Sequence, residues 1–315
     1  MVEFEKELLE IENKIEELKQ FSTDKNINLD DEINKLEKEY KKRAKEVYSN
    51  LSDWEKVYIA RNPERPNTVE YINGITEDFV ELHGDRLFGD DGAIVGGLCK
   101  ISGHKFMIIG IQKGRGMDEK IHRNFGMASP EGYRKALRLM KLAERFKIPV
   151  LTLIDTAGAY PGLEAEERGQ GEAIARNLME MSGIKTPIIA IIIGEGGSGG
   201  ALALAVADKV MMLEHSVYSV ISPEGCAAIL FKDGSLSEKA ASSLKISAQS
   251  LKKLQIIDGI ITEPLGGAHK DKLCAEINLK KAVLLSIQEL EKIEIDTLLE
   301  NRYNKYRRMG IFLEE

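Results

Sequence analysis

The segment 186–207, TPIIAIIIGEGGSGGALALAVA, constrains the fold of this chain more than any other stretch. Its apolar, β-branched run from Ile188 to Ile193 predicts a buried strand of a parallel sheet. Five glycines follow within seven residues: Gly194, Gly196, Gly197, Gly199 and Gly200. A helix of small residues, Ala201 to Ala207, is expected to begin at once. A strand that ends in glycines and opens a helix gathers unpaired backbone N–H groups and the positive end of the helix dipole at one point. The missing Cβ atoms let a ligand approach that backbone closely. Such a place suits an anion, or an oxyanion that exists only during a reaction.

The same residues fit several patterns. Gly194-x-Gly196-x-x-Gly199 matches the dinucleotide fingerprint, with Glu214 roughly 20 residues on, where a ribose-binding acid is expected. Gly196-x-Ser198-x-Gly200 matches the nucleophile elbow of serine hydrolases. An oxyanion hole of backbone alone is a third reading, and a tight turn that packs a helix on a strand is the plainest. After the strand expected at Val210 to Leu213, the stretch His215 to Glu224 is not the second helix of a dinucleotide unit. A hydrolase triad needs an acid and a histidine after Ser198, and neither His215 nor His269 sits in a recognisable loop after a strand. The backbone reading survives best.

A chain of 315 residues supports one large domain with extensions, or two small ones. The net charge of −7 argues against a nucleic-acid or anionic-membrane role. Cys99, Cys226 and Cys274 are far apart and form no CxxC pair, which suits a reducing compartment and supplies no zinc or other metal site. The acidic N-terminus is unlike a signal peptide, and no apolar run approaches the roughly 18 residues of a membrane span. A soluble, cytoplasmic protein is expected.

Residues 3 to 51 differ from the rest. Phe4, Leu8, Ile11, Ile15 and Leu18 repeat at fours and threes, as do Ile33, Leu36, Tyr40, Ala44, Val47 and Leu51 after a polar break. Two amphipathic helices are expected to form an antiparallel hairpin, either folded on its own chain or gripping a partner subunit. Arg61 to Pro66, with two prolines, reads as an extended connector, and Thr68 to Leu82 as a helix. Strands are expected at 94–101, 105–112, 149–155, 188–193, 210–213 and 217–221. Helices are expected at 130–146, with Pro130 at the first position, and at 166–182, 270–292 and 295–309. The alternation from 130 to 213 is of the βα type and implies parallel strands with right-handed crossovers. The divisions are an arm and connector over 1–66, a core over 67–267 and a helical extension over 268–315.

Ligands in α/β sheets gather at the carboxyl ends of strands. Besides the glycine loop, Asp155-Thr-Ala-Gly-Ala-Tyr-Pro-Gly162 ends a strand with Gly158 and Ala159 leaving the backbone bare. If the two strands are neighbours, each loop can donate an N–H to one oxygen, and one such donor is worth roughly 3 kcal/mol of barrier. Asp155 reads equally as a base and as a helix cap. Lys113, Arg115, Lys120 and Arg123 form a basic loop suited to phosphates or a carboxylate, or simply a solvated surface.

With these residues in hand, the chain resembles the carboxyltransferase α subunits of bacterial acetyl-CoA carboxylase. The stretches that carry the resemblance include Gln112-Lys-Gly-Arg115, Arg123-Asn-Phe-Gly-Met127, Asp155 to Gly162, Ala165-Glu-Glu-Arg-Gly-Gln-Gly171, Gly194 to Gly200, Tyr218 to Cys226 and Glu263 to His269. The resemblance implies a crotonase-like spiral of ββα units with an N-terminal helical hairpin and C-terminal helices. It implies a homologous β subunit that carries the zinc ribbon, assembled with this chain as an α2β2 heterotetramer. It also implies transfer of a carboxyl group from carboxybiotin, held on the biotin carboxyl carrier protein and not bound covalently here, to acetyl-CoA. The product is malonyl-CoA for fatty-acid synthesis, with ATP consumed by the separate biotin carboxylase. Both the ureido anion of biotin and the enolate of acetyl-CoA need preorganised N–H donors more than a side-chain nucleophile. By the same resemblance this chain supplies the hole for biotin, assigned to Gly199 and Gly200 with Gly158 and Gly197 in support. Lys113, Arg115, Arg123, Ala159 and Tyr160 are the candidate substrate contacts. A crotonase-type acyl-CoA hydratase or isomerase working alone is the alternative.

Overall fold

The structure is a computed structural model that describes residues 3–310. In chain order the helices and strands are α1 (Lys6–Lys25), α2 (Asp30–Ser49), α3 (Asp53–Ala60), α4 (Thr68–Ile75), β1 (Glu77–Glu81), β2 (Ile94–Ile101), β3 (His104–Ile111), α5 (Gly116–His122), α6 (Pro130–Phe146) and β4 (Val150–Thr156). The chain continues through α7 (Leu163–Glu167), α8 (Gln170–Gly183), β5 (Ile188–Gly197), α9 (Ser198–Leu202), β6 (Lys209–Leu213) and β7 (Val217–Ser219). It then passes through α10 (Pro223–Leu230), α11 (Ser237–Leu244), α12 (Ala248–Lys253), β8 (Gly259–Ile261), α13 (Lys272–Leu290) and α14 (Ile295–Arg307).

The main sheet runs β1-β2-β3-β4-β5-β6-β8, and β7 pairs with the end of β5 off this path. Strands β1 to β3 are antiparallel neighbours, whereas β3, β4, β5, β6 and β8 are parallel. Alternate residues of the parallel strands enter two cores. Met107, Ile109, Val150, Ile154, Ile188 and Ile192 face the helices α6 and α8, and Phe106, Ile108, Leu151, Leu153, Ile189 and Ile191 face α4 and α13. Burial on both faces accounts for runs without polar alternation, such as Ile188–Ile193. No helix among the described residues is long and apolar enough to cross a membrane.

Three expectations about local structure are corrected. Residues 68–82 are not one helix: α4 stops at Ile75 and β1 follows, paired with β2. Gly97 makes this possible, because a side chain there would collide with the carbonyl of Val80. A strand partner distant in sequence thus overrides the helix expected locally. The helix expected over 166–182 breaks at Gly169, whose φ of +82° favours glycine, leaving α7 and α8. The helix after the glycines begins at Ser198 rather than Ala201 and lasts one turn, while β5 continues through Gly197 because β7 pairs with its end.

The hairpin of α1 and α2 closes on itself, burying Leu8, Ile15, Ile33 and Ala44. Its base rests on the core through Ile59 and through Tyr48, whose ring lies 6.2 Å from that of His215. Tyr48 donates to Glu5 at 2.7 Å, and Lys270 reaches Glu12 at 3.2 Å.

Candidate active site at two apposed glycine loops

Strands β4 and β5 are in register at Ile154↔Ile192, but the next pair is Thr156↔Gly196. The longer stretch of β5 between these pairs bulges, and past it β5 exchanges β6 for β7 as its second neighbour, at Glu195↔Val217, Gly196↔Tyr218 and Gly197↔Ser219. Bulges of this kind re-aim a strand beside a site. Here the bulge lays Gly197 to Gly200 against the loop that follows β4.

The contact is too close for side chains. A Cβ on Gly197 would collide with the carbonyl of Ala157, and one on Gly200 would lie 2.5 Å from the backbone N of Ala159 and 2.6 Å from the carbonyl carbon of Gly158. Gly199 differs, since a Cβ there would make ordinary contact with Ile174 at 3.5 Å. Ser198 is exposed and holds φ at +56°, an uncommon conformation for a residue with a side chain. The N–H groups of Ser198, Gly199 and Gly200 open a helix and so lack intrahelical acceptors.

Of the sequence-derived candidates, Gly158, Gly197, Gly199, Gly200 and Ala159 meet at this junction. The Gly158 N–H donates to Thr156 Oγ1 at 3.1 Å, and that hydroxyl donates to the Gly126 carbonyl at 2.6 Å, so the β4 loop is tied down from within. Tyr160 N–H donates to the Ala128 carbonyl at 3.0 Å, and Gln170 Nε2 donates to both Ala128 and Tyr160 carbonyls at 2.8 and 2.9 Å. Lys113 sits beneath the junction, its ammonium 2.7 Å from Asp155 and 3.7 Å from Glu195. Arg115 lies apart, bonded to Glu70 at 2.6 Å and to the carbonyls of Pro63 and Arg65, and Arg123 bonds Glu119 at 2.8 Å and the Gly92 carbonyl at 2.7 Å. All three cations are thus committed to carboxylates of the chain itself.

A cavity of about 330 Å³ opens beside Ser198 and Gly199. Its walls are Leu202, Tyr218, Ser219, Val220, Leu244, Leu251 and Ile256, with neither imidazole nor carboxylate among them. Burial pushes the Tyr218 phenol up to about 12, so it stays protonated at neutral pH. Burial likewise raises the phenol of Tyr133, whose hydroxyl has no partner among the described residues and would lie 2.8 Å from a Cβ on Gly200. The site therefore offers backbone amides and apolar walls rather than a nucleophile with its base.

Sequence reasoning missed the charged brace behind the loops. Arg61 donates to Glu195 at 2.6 Å and to Glu224 at 2.6 Å. Burial disfavours its charge, and the two carboxylates more than restore it, so its pKa is raised. The two prolines within residues 61–66 pointed to an extended connector, but nothing local marked its partners. The apolar wall from Leu244, Leu251 and Ile256 left no local signal either.

The model of the family described as acetyl co-enzyme A carboxylase carboxyltransferase-like matches residues 1–310. The acetyl-coenzyme A carboxylase carboxyl transferase subunit alpha of Fusobacterium nucleatum is 65% identical over 99% of this chain and 99% of its own length. The protein of the same name from Staphylococcus haemolyticus is 53% identical over the full length of both chains. Among solved structures, the transcarboxylase 12S core aligns with a TM-score of 0.58 at 19% identity, covering 71% of this chain and 41% of that one. The Pseudomonas aeruginosa geranyl-CoA carboxylase beta subunit aligns with a TM-score of 0.55 at 19% identity, covering 76% of this chain and 45% of that one. These likenesses establish the crotonase-like fold of the ββα core. Sequence identity along the whole chain settles the rest: the chain belongs to the family of acetyl-coenzyme A carboxylase carboxyl transferase alpha subunits.

Proposed function

We propose that this chain, joined to a zinc-ribbon β subunit, transfers the carboxyl group of carboxybiotin, presented by its carrier protein, to acetyl-CoA, giving malonyl-CoA. The reading is supported above all by the apposition of two bare backbone loops beside an apolar slot, at Gly197 to Gly200 and Ala157 to Ala159. In this reaction the ureido N–CO₂ bond breaks, a C–C bond forms at the acetyl methyl carbon, and the methyl proton passes to the ureido group. The amides of Gly199 and Gly200 are the donors that receive the developing ureido oxyanion in the slot. Two fixed donors aimed at one oxygen supply several kcal/mol without reorganisation, each worth roughly 3 kcal/mol. Because the Gly158 N–H is turned to Thr156, Ala159 is the better donor from the second loop and Gly158 a support. Gly197 acts by allowing the close approach. Tyr160 follows Ala159 in the second loop, its N–H held by the Ala128 carbonyl, and Lys113 pairs with Asp155 at the end of β4. Contact of Arg115 or Arg123 with CoA phosphates requires each to exchange its present carboxylate.

The assembly in this reading is α2β2, served by the carrier protein and by biotin carboxylase. Residues 1–66 act as arm and connector, 67–267 as the catalytic core and 268–315 as the extension. A hydratase or isomerase acting alone gains nothing from these walls, which hold no carboxylate to move protons. The deciding experiment is co-expression with a zinc-ribbon β subunit and an assay of carboxyl transfer to acetyl-CoA. The pair should be active and the isolated chain inert. Robust turnover by the isolated chain overturns the assignment.

A further inference from the structure

The bulge that aims the glycine loop has an anchor of its own. Two of the three residues of β5 between its two registers with β4 are engaged by side chains from outside the strand. The Ile193 carbonyl accepts from Arg65 at 2.9 Å, and the Glu195 carboxylate takes Arg61. The Glu195 N–H donates to Asp155 Oδ1 at 2.8 Å. Asp155 lies on β4 opposite the bulge, and Lys113 holds the same oxygen at 2.7 Å. Gly194 leaves room for the carboxylate, since a Cβ there would lie 2.5 Å from Asp155 Oδ1. A regular ladder would satisfy the Glu195 N–H with a backbone carbonyl and leave no bulge in β5. The aspartate takes the place of that carbonyl across the bulge, before pairing resumes at Thr156↔Gly196.

We propose that Asp155 is a positioning residue: by accepting the Glu195 N–H it holds the β5 bulge, and so holds the Gly199 and Gly200 amides on the loop after β4. It touches no substrate and acts through the backbone of the glycine loop. The assignment deepens the carboxyl-transfer reading and rests on it for kinetics, but not for the geometry it concerns.

The test uses the full chain assembled with its β subunit, and compares Asp155→Ala with Asp155→Asn, which keeps an acceptor oxygen. Asp155→Ala should lower kcat about a hundredfold and change KM for acetyl-CoA less than about twofold, because a misplacement of ~1 Å is enough for such a loss. Asp155→Asn should stay within about fivefold of wild type, since the acceptor survives. Hydrogen exchange on the full chain gives a readout independent of turnover. Peptides spanning 192–202 should exchange at least about tenfold faster in Asp155→Ala, with those of β3 and β6 unchanged. Wild-type exchange over 192–202, a uniform rise across the sheet, or equal damage by Asn and Ala overturns the role. If the wild-type assembly transfers no carboxyl group, the carboxyl-transfer reading fails, and the exchange pattern still decides the role of Asp155.

Discussion

The two edges of the parallel sheet use the same chemistry to opposite ends. At the amino edge, Asp208 accepts the Ile188 N–H at 2.7 Å and Asp258 accepts the Val210 N–H at 2.7 Å. Arg302 of α14 pairs with Asp208 at 2.7 Å and donates to the carbonyls of Met181, Ile184 and Thr186. The side chains of this pair are 0% and 3% exposed. At the carboxyl edge, Asp155 accepts the Glu195 N–H, but its partner Lys113 is 25% exposed and Arg61 beyond it 33%. The amino edge closes regular strands under a helix. The carboxyl edge holds an irregular strand open to a ligand. Burial suits the first task, whereas the second leaves charge near water and backbone amides unpaired.

Removing the amino-edge clamp should have the largest effect. Arg302→Ala strands a buried Asp208 and should lower unfolding free energy by about 3–5 kcal/mol in denaturant titration. Turnover per folded molecule should stay near wild type, because the damage lies at the edge remote from the glycine loops. A matching loss of specific activity would erase the division of labour between the edges.

Two neighbours at the carboxyl edge sharpen it. Gly200→Ala drives a methyl into the backbone of Gly158 and Ala159 and should reduce carboxyl transfer at least about a hundredfold, with stability falling only ~1–3 kcal/mol. Gly199→Ala meets only Ile174 at van der Waals distance and should lose less than about tenfold, as the hole keeps its donors. Equal losses at the two positions would show that mere bulk, not the seam between the loops, governs activity.

The smallest effect concerns pH at the base of the arm. His215 is buried, and burial lowers its pKa despite Glu263 and Glu214 nearby, with Arg65 and Lys56 adding to the depression. Its folded form binds a proton less readily than the unfolded chain, whose histidine titrates near about 6.5. Its share of stability is therefore complete above that pH and is lost as pH falls toward the lower folded value. Glu263 adds a second loss further down: burial alone would raise its pKa, but Arg65 holds it low, so its share is present above about 4.3 and lost below. Melting temperature should fall on going from neutral to mildly acidic buffer, and His215→Gln should flatten that step. An unchanged slope in the variant would remove His215 from the account.

The fold was legible where one element explains itself. Pro130 to Phe146 is the helix its opening proline predicts, and 188–193 is a strand because six consecutive apolar residues suit a sheet covered on both faces. Residues 68–82 misled, because the decision between helix and strand lay with Gly97 and β2, contacts that no local window contains. The site divides in the same way. Glycine density identified both bare loops, yet the similar spellings of Gly199 and Gly200 conceal that one meets only the Ile174 side chain at van der Waals distance and the other a neighbouring backbone.

By itself, then, the sequence determined which backbone segments are free of side chains, which runs must be buried, and which family the motifs resemble. Those properties follow from residue chemistry and from spacing within a dozen positions. Only the tertiary structure decided that Asp155 meets Glu195, that Arg61 braces the glycine loop, and that Leu244, Leu251 and Ile256 wall the slot. Each of these depends on the bulge in β5, and that bulge shows only in the pairing between strands, not in the local preference of the residues that form it.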